Sequence, residues 1–210
     1  MLRGIRAIVT TILIVLPLAG FRGCDDGRDG APFDHTYDLT PVKLAVGTQD
    51  FLVPRAYMSL SNPKTLYIEA LLPGADAISE QNDDCFRHIN ICKDIVWVLY
   101  TSQSSLPPFH QDEVNMHLNL ERRVYDKQLD LEQYFRANGT SYPYFRAVDG
   151  TSDILITCVT DDKGQLTYQC TSSEHFLGEV LKISFRPEKL SEWRSIRRAV
   201  MARLASFKTN

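Results

Sequence analysis

The chain is 44% hydrophobic and 23% charged, a composition that excludes bulk disorder. Its length of 210 residues is sufficient for one domain with a buried core. Its formal net charge is −3. Three of the 23 basic residues, Arg3, Arg6 and Arg22, precede Cys24, so the rest of the chain has 20 basic against 26 acidic residues. This balance argues against nucleic acid as the partner, since phosphate binding requires a basic surface.

The amino terminus has the three regions of a secretory signal peptide. Residues 1–6 are basic, residues 7–19 are apolar, and Gly23 and Cys24 follow. The apolar run is shorter than the roughly 20 residues of a membrane-spanning helix. A core helix is the alternative, but the charged stretch 24–30 would continue it poorly. We therefore predict a signal peptide over residues 1–23, a lipid-proximal tether over 24–40 and a single domain over 41–210.

Residues 21–24 resemble a bacterial lipobox, in which the cysteine is acylated and becomes the mature amino terminus. Gly23 matches the small residue of that pattern, whereas the two residues before it depart from the pattern. The resemblance implies lipidation of Cys24 and a periplasm-facing membrane anchor. Asp25 resembles the residue that retains such lipoproteins at the inner membrane. Signal-peptidase cleavage near Gly20 without lipidation is the alternative.

Four further cysteines agree with export to an oxidising compartment. They are Cys85, Cys92, Cys158 and Cys170. Three disulfide pairings are possible, and we expect the local one, which joins the first two and the last two. A zinc site is the alternative, but the spacing contains no Cys-x-x-Cys pair.

The first half of the chain predicts mainly strands, because apolar residues alternate between turn signals. The predicted elements are a hairpin of residues 42–46 and 51–53, an edge continuation over 57–60, a strand over 66–72, an exposed acidic loop over 75–90, and a central strand over 95–100. The last of these is almost wholly β-branched and aromatic, which is typical of a strand buried on both faces.

The second half predicts a stapled hairpin. Alternation at 114–125 favours a strand over a helix, and residues 128–138 predict a short helix centred on 131–137. Alternating residues on both sides of 161–164 indicate a β-hairpin that brings Cys158 opposite Cys170. Residues 180–185 predict another strand.

Apolar residues at helical spacing near the end of the chain predict an amphipathic helix over 191–207. They are Trp193, Ile196, Val200, Leu204 and Phe207, with Ser191 as the expected N-cap. The predicted fold is therefore α+β, an antiparallel β-sheet with this carboxyl-terminal helix packed on one face. We expect the sheet residues beneath the helix to be Ile95, Trp97, Leu155 and Ile183. The arginines on the polar side of the helix indicate either a solvated face or a surface for an acidic partner.

No sequence pattern indicates catalysis or metal binding. Gly-x-Ser-x-Gly and glycine-rich phosphate loops are absent from the sequence, and the five histidines lack metal-ligand spacing. Adjacent aspartates at 83–84 and 161–162 are typical of turns. We predict a non-enzymatic protein without a metal or a cofactor.

Three stretches together resemble a known family. They are Phe51-x-Val53-Pro54-x-x-Tyr57, the pair Cys158 and Cys170, and Ser184-Phe185-x-Pro187-x-x-Leu190-x-x-Trp193-x-x-Ile196-x-x-x-Val200-x-x-x-Leu204-x-x-Phe207. That family consists of small exported proteobacterial proteins, some of them similar to periplasmic immunity proteins that guard against secreted antibacterial toxins. The likeness spans residues 42–207, although the first stretch departs from the pattern after Tyr57. It implies that this chain binds and blocks a toxin.

Long acidic loops on a rigid sheet are suited to recognition of a basic protein partner. The candidate contact residues, in the loops 75–90 and 102–113, are Asp76, Glu80, Asp83, Asp84, Asp112 and Glu113. An envelope-assembly lipoprotein and a periplasmic hydrolase are the alternative functions.

Overall fold

A fully antiparallel sheet of nine strands organises the domain. The computed structural model describes residues 36–62, 64–88, 92–102, 118–136, 144–147, 154–161 and 165–209. The strands are β1 (Pro41–Val46), β2 (Gln49–Pro54), β3 (Met58–Asn62), β4 (Thr65–Leu71), β5 (Ile95–Thr101), β6 (Leu118–Asp126), β7 (Leu131–Arg136), β8 (Tyr144–Ala147), β9 (Leu155–Thr160), β10 (Leu166–Phe176) and β11 (Glu179–Phe185). The helices are α1 (Asp83–Arg87) and α2 (Trp193–Phe207). The predicted signal peptide, most of the tether and Cys24 lie outside the described residues.

The order of the strands places β5 and β11 in the middle of the sheet. The order is β3-β4-β5-β11-β10-β9-β8-β7-β6, while β1 and β2 form a separate hairpin. Strands β6 to β11 follow one another as a meander that ends beside β5. The predicted α+β fold and the central position of residues 95–100 are therefore confirmed.

The disulfide-stapled hairpin is also confirmed. Cys158 and Cys170 are direct cross-strand partners in β9 and β10 and are joined as a disulfide. A second disulfide joins Cys85 and Cys92, which are seven positions apart in the chain. Each bridge should contribute about 2–4 kcal/mol by restricting the unfolded chain.

Helix α2 packs its apolar stripe against one face of the sheet, which we call the inner face. All five predicted stripe residues are buried and belong to the main core cluster. The indole nitrogen of Trp193 donates a hydrogen bond to the carbonyl of Leu129 at 2.8 Å, so the polar atom of this buried ring is satisfied. The predicted packing of the helix on the sheet is correct.

The prediction of which sheet residues lie beneath α2 was only partly right. Ile183 belongs to the main cluster, together with Val96 and Val98 of β5. Ile95 instead belongs to a second cluster with Ala56, Ile78 and Phe86, and Trp97 packs against that cluster. Because β5 is apolar on both faces, its alternation does not indicate which residues meet the helix. Leu155 is half-buried and belongs to neither cluster, whereas the flanking residues 154 and 156 are in the main one.

Two further local predictions were wrong. The segment predicted as a helix over 131–137 forms β7, because pairing with β6 and β8 outweighs its helical propensity. Ser191 lies in a 3₁₀ turn, Pro187–Glu192, and the residue before α2 is Glu192, with no side-chain cap. This turn leads directly into the helix.

The β1–β2 hairpin docks on the core through Phe51 of β2 and through its turn. Phe51 is fully buried and meets Tyr100 edge to face, with ring centroids 5.3 Å apart. The amide of Thr48 donates a hydrogen bond to the buried carboxylate of Glu179 at 3.3 Å. Burial, and secondarily the charge of Glu179, raises the pKa of Tyr100 to about 12, so this phenol stays neutral. Gly47 gives the turn its close approach to Glu179, because any Cβ there would overlap the carboxylate.

We expect Gly47→Ala to lower the free energy of unfolding more than Gly178→Ala does. Both glycines have positive φ, 58° and 85°, so alanine at either position costs about 1–2 kcal/mol in backbone strain. Only at Gly47 would the added methyl group also displace Glu179, since nothing lies within 4 Å of a Cβ at Gly178. Urea unfolding of both variants measures the difference. Equal destabilisation would show that the contact with Glu179 is unimportant.

Candidate partner-binding surface

The face of the sheet opposite α2, which we call the outer face, carries aromatic, hydroxyl and cationic side chains. Two rows of cross-strand neighbours define it: Glu69, Trp97, Ser184, Thr171 and Thr157, and beside them Tyr67, Leu99, Lys182, Ser173 and Leu155. All ten residues are half-buried. The outer face is therefore neither a second core nor a highly charged, fully solvated surface.

Strand alternation produces this face. In β11, Leu181 and Ile183 point into the core and are almost completely buried, so Lys182 and Ser184 project to the other side. The same period places Tyr67 of β4 outward, between two buried residues. Polar and apolar side chains are thus interleaved across the central strands.

A groove of about 490 Å³ lies at one end of β10 and β11. We call it the end groove, and its lining residues are Lys93, Leu166, Thr167, Tyr168, Arg186, Pro187 and Glu188. A second groove of about 430 Å³, the central groove, lies on the outer face itself. It is lined by Tyr67, Trp97, Leu99, Gln169, Thr171, Lys182 and Ser184.

Arg186 connects the two grooves. Its guanidinium lies 5.7 Å from the centre of the Trp97 ring, and it donates a hydrogen bond to the backbone carbonyl of Tyr168 at 3.2 Å. Trp97 lines the central groove, whereas Tyr168 and Arg186 line the end groove. The two grooves therefore adjoin and form one candidate surface.

The floor of the central groove is polar, and its walls are aromatic and aliphatic. The hydroxyl groups of Thr171 and Ser184 lie 2.9 Å apart as a cross-strand hydrogen-bonded pair. Burial, with a smaller effect of the charge on Glu69, raises the pKa of Tyr67, so its phenol keeps the proton and can donate a hydrogen bond. This combination can hold an amphipathic group.

Tyr168 is the most unusual residue of the surface. Its side chain is 75% exposed, and its backbone has φ 61° at the point where the pairing of β10 with β9 shifts register between Thr167 and Cys170. A left-handed tyrosine costs free energy that a glycine would avoid. Bulges often redirect a side chain next to a functional site. The fold therefore holds an exposed aromatic ring at the rim of the end groove.

The predicted acidic residues occupy different environments. Asp76 is ion-paired with Arg203 of α2 at 2.9 Å, and Asp83 is ion-paired with Arg87 within α1. Glu80 and Asp84 are exposed to solvent. Asp112 and Glu113 lie outside the described residues, so the structure does not locate them.

Residues 75–88, which carry Asp76, Glu80, Asp83 and Asp84 and which we call the acidic segment, have more regular structure than the predicted exposed loop. The segment contains α1 and buries Ile78 and Phe86. These two residues belong to the second core cluster, together with Ala56 and Ile95, and Cys85, Cys92 and Trp97 pack against that cluster. The acidic segment therefore borders Trp97 and the central groove.

Most arginines of α2 are used inside the domain. Arg197 binds the carboxylate of Glu174 through two nitrogens, at 2.7–2.9 Å, and Arg194 pairs with Asp130. Arg203 also donates to the carbonyls of Ala75 and Gly74. The arginines therefore bind the helix to the sheet and its loops, which weakens the hypothesis that they form an anion-binding face.

The described residues contain no group of three or more His, Cys, Asp and Glu side chains that could hold a metal ion. Among the helices that the structure describes, none combines the length and apolarity needed to cross a membrane. The outer face provides aromatic, hydroxyl and cationic side chains that can bind a partner. Sequence reasoning missed the outer face, although Tyr67 and Lys182 alternate with buried residues.

Comparison with solved structures identifies two proteins of similar fold. An immunity protein of the Stenotrophomonas maltophilia type IV secretion system matches with a TM-score of 0.59 and 14% identity, over 84% of this chain and 96% of that one. The iron-regulated outer membrane lipoprotein FrpD of Neisseria meningitidis matches with a TM-score of 0.54 and 12% identity, over 85% and 94%. Both are proteobacterial proteins, which matches the resemblance seen in the sequence motifs. At these identities the likeness shows the fold.

Neither a protein-family model nor a curated protein matches the sequence.

We expect Tyr168→Gly to leave the free energy of unfolding unchanged or to raise it by up to about 1 kcal/mol, because glycine adopts positive φ without strain. The neighbouring Gln169→Gly is the control, since Gln169 does not have positive φ, and it should cost about 0.5–1 kcal/mol. Thermal or urea unfolding measures both. A large loss of stability in Tyr168→Gly would show that the ring serves the fold.

Proposed function

We propose that this protein is an exported, non-enzymatic binding protein that acts as an immunity protein by occluding a secreted antibacterial toxin. The observation that carries the proposal is the outer face, where two adjoining grooves and the strained, exposed Tyr168 lie on a rigid sheet. The fold shared with an immunity protein of a type IV secretion system supports the same role.

The composition of the surface suits protein recognition. Aromatic rings and arginine are enriched in the interfaces of protein complexes, and serine and threonine supply adaptable hydrogen bonds. Tyr168 and Trp97 provide the rings, Arg186 lies between them, and Thr171 and Ser184 provide the hydroxyl groups. A rigid sheet carries these groups at little cost in conformational entropy on binding.

The immunity role is tested by deleting the gene and challenging the deletion strain with siblings that carry the intact locus. We expect the strain to lose viability and to regain it when the gene is supplied on a plasmid. The protein recovered from challenged cells should bind a toxin encoded by the attacking strain. Full resistance of the deletion strain, with no toxin bound, would reject the proposal.

We further propose that Cys24 is acylated and that the mature protein faces the periplasm at the inner membrane, with residues 24–40 as its tether. The sequence Gly23-Cys24-Asp25 supports this location. Diacyl or triacyl anchors hold firmly, whereas one chain binds only marginally. The intact mass of the purified protein tests acylation, and membrane fractionation tests the location. A mature protein that starts at Cys24 without added lipid would reject acylation.

The acidic segment should speed association with a basic toxin. Asp76 and Asp83 are ion-paired within the domain, which leaves the exposed Glu80 and Asp84 as the main long-range attractants there. Asp112 and Glu113 remain proposed contacts. Charges at the rim of an interface mainly change the association rate, and salt screens their effect.

We expect the double variant Glu80→Gln and Asp84→Asn to associate with the toxin several-fold more slowly at low salt, with little change in the dissociation rate. Raising the ionic strength should abolish the difference. Surface plasmon resonance at two salt concentrations measures both rates. The neighbouring exposed Gln81→Ala is the uncharged control and should change neither. An unchanged association rate would remove the acidic segment from the proposed interface.

An envelope-assembly role is the second candidate, favoured by the fold shared with an outer membrane lipoprotein. It predicts that the deletion strain shows an envelope defect, such as sensitivity to detergent, without any contact with attacking siblings. The challenge experiment separates the two roles.

A further inference from the structure

Lys182 lies at the centre of the outer face, in an unusual electrostatic position. It is half-buried in β11, between Leu99 of β5 and Ser173 of β10. Together with Tyr67 and Trp97 it lines the central groove. Lys182 thus places an ammonium group among described lining side chains that are otherwise apolar, hydroxyl or amide.

Within the described part of the chain, no carboxylate forms an ion pair with Lys182. By contrast, Lys93 of the end groove pairs with Glu188 at 3.3 Å, and Lys189, the next residue in the chain, pairs with Asp94 at 2.8 Å. A partly buried cation loses hydration, and a carboxylate brought by a partner would offset that loss. Charge complementarity therefore indicates an anionic group as the occupant.

The surroundings of Lys182 restrict the chemistry of that occupant. Trp97, Leu99 and Tyr67 form walls suited to aliphatic groups, whereas Thr171 and Ser184 offer hydroxyl groups at the floor. A volume of about 430 Å³ falls within the usual range of ligand pockets, about 300–1,000 Å³. A bare inorganic anion would leave these apolar walls unused, whereas a side chain with apolar neighbours would cover them.

We propose that the central groove receives an acidic residue flanked by aliphatic residues, on a protruding segment of the toxin, with Lys182 pairing with its carboxylate. This inference rests on the proposed function, because it describes how the toxin is held. Trp97 and Leu99 pack on the aliphatic flanks, and the contact of Arg186 with Trp97 keeps the ring in place. The hydroxyl groups of Thr171 and Ser184 bind polar groups of the same segment.

A displayed library of random peptides, selected on the protein purified from cells that export it, tests the inference without requiring the toxin. We expect the selected peptides to contain Asp or Glu between aliphatic residues. A selected peptide should bind Lys182→Glu about 10- to 100-fold more weakly than wild type, the range for loss of one charged hydrogen bond. Lys182→Arg should retain binding. Lys127→Glu makes the same charge change at an exposed turn position and is the control.

Tryptophan fluorescence provides an independent readout. The chain has two tryptophans. Trp193 of α2 is buried in the core, whereas Trp97 lines the central groove, so a peptide in the groove should change the emission of Trp97. The change should disappear in Trp97→Phe. Selected peptides without acidic residues, or equal binding by wild type and Lys182→Glu, would overturn the inference.

The outcomes separate this inference from the proposed function. If the gene protects cells and the Lys182→Glu strain is protected equally well, the groove assignment is wrong and the immunity role stands. If the gene gives no protection while acidic peptides still bind at Lys182, the groove is real and its partner is not a toxin. The inference itself holds in full only if protection and peptide binding both fall in the Lys182→Glu variant.

Discussion

The buried ion pair between Arg197 of α2 and Glu174 of β10 constrains the domain more than any other polar contact described above. The side chain of Glu174 is 1% exposed, and a carboxylate so far from water must keep its cation. The two-pronged geometry leaves the helix little freedom to slide or rotate. Since the apolar stripe of α2 extends on both sides of Arg197, from Trp193 to Phe207, this register fixes which sheet residues are covered. Because α2 is bound to the inner face, the helix does not cover the outer face.

Local patterns predicted the elements of this fold, whereas contacts between distant residues determined the surface. Alternation and helical spacing were sufficient for the stapled hairpin and for the stripe of α2. They could not orient β5, whose residues are apolar on both faces, and they misassigned β7, whose strand state depends on pairing with its neighbours. Asp76 looked like a free acid in a loop, but its partner Arg203 lies 127 positions away in the chain. The same limitation hid the central groove, which combines side chains from four strands.

The disulfide of the β9–β10 hairpin and the exposed ring of Tyr168 are linked through the bulge. The register shift lies between Thr167 and Cys170, directly beside the bridge to Cys158. In a hairpin without the disulfide, moving the register shift along the strand would relieve the backbone strain of a tyrosine with φ 61°. The covalent link fixes the pairing on one side of the bulge, which makes that slippage more difficult. A disulfide that stabilises the fold thereby also fixes the direction of a side chain at the candidate surface.

Under the proposed function, the acidic and basic groups at this surface act at different stages of binding. Glu80 and Asp84 are exposed to solvent, on a segment that packs against Trp97 through the second core cluster, so they act on an approaching partner from a distance. Lys182 is half-buried in the groove, where it can act only on a group that has already docked. Under the two proposals made above, the partner combines a basic surface with an acidic residue on an aliphatic protrusion. A protein that has only the basic surface would be attracted but not retained, because it would leave Lys182 desolvated and unpaired. The arrangement therefore derives specificity from an unfavourable contact with wrong partners as well as a favourable one with the right partner.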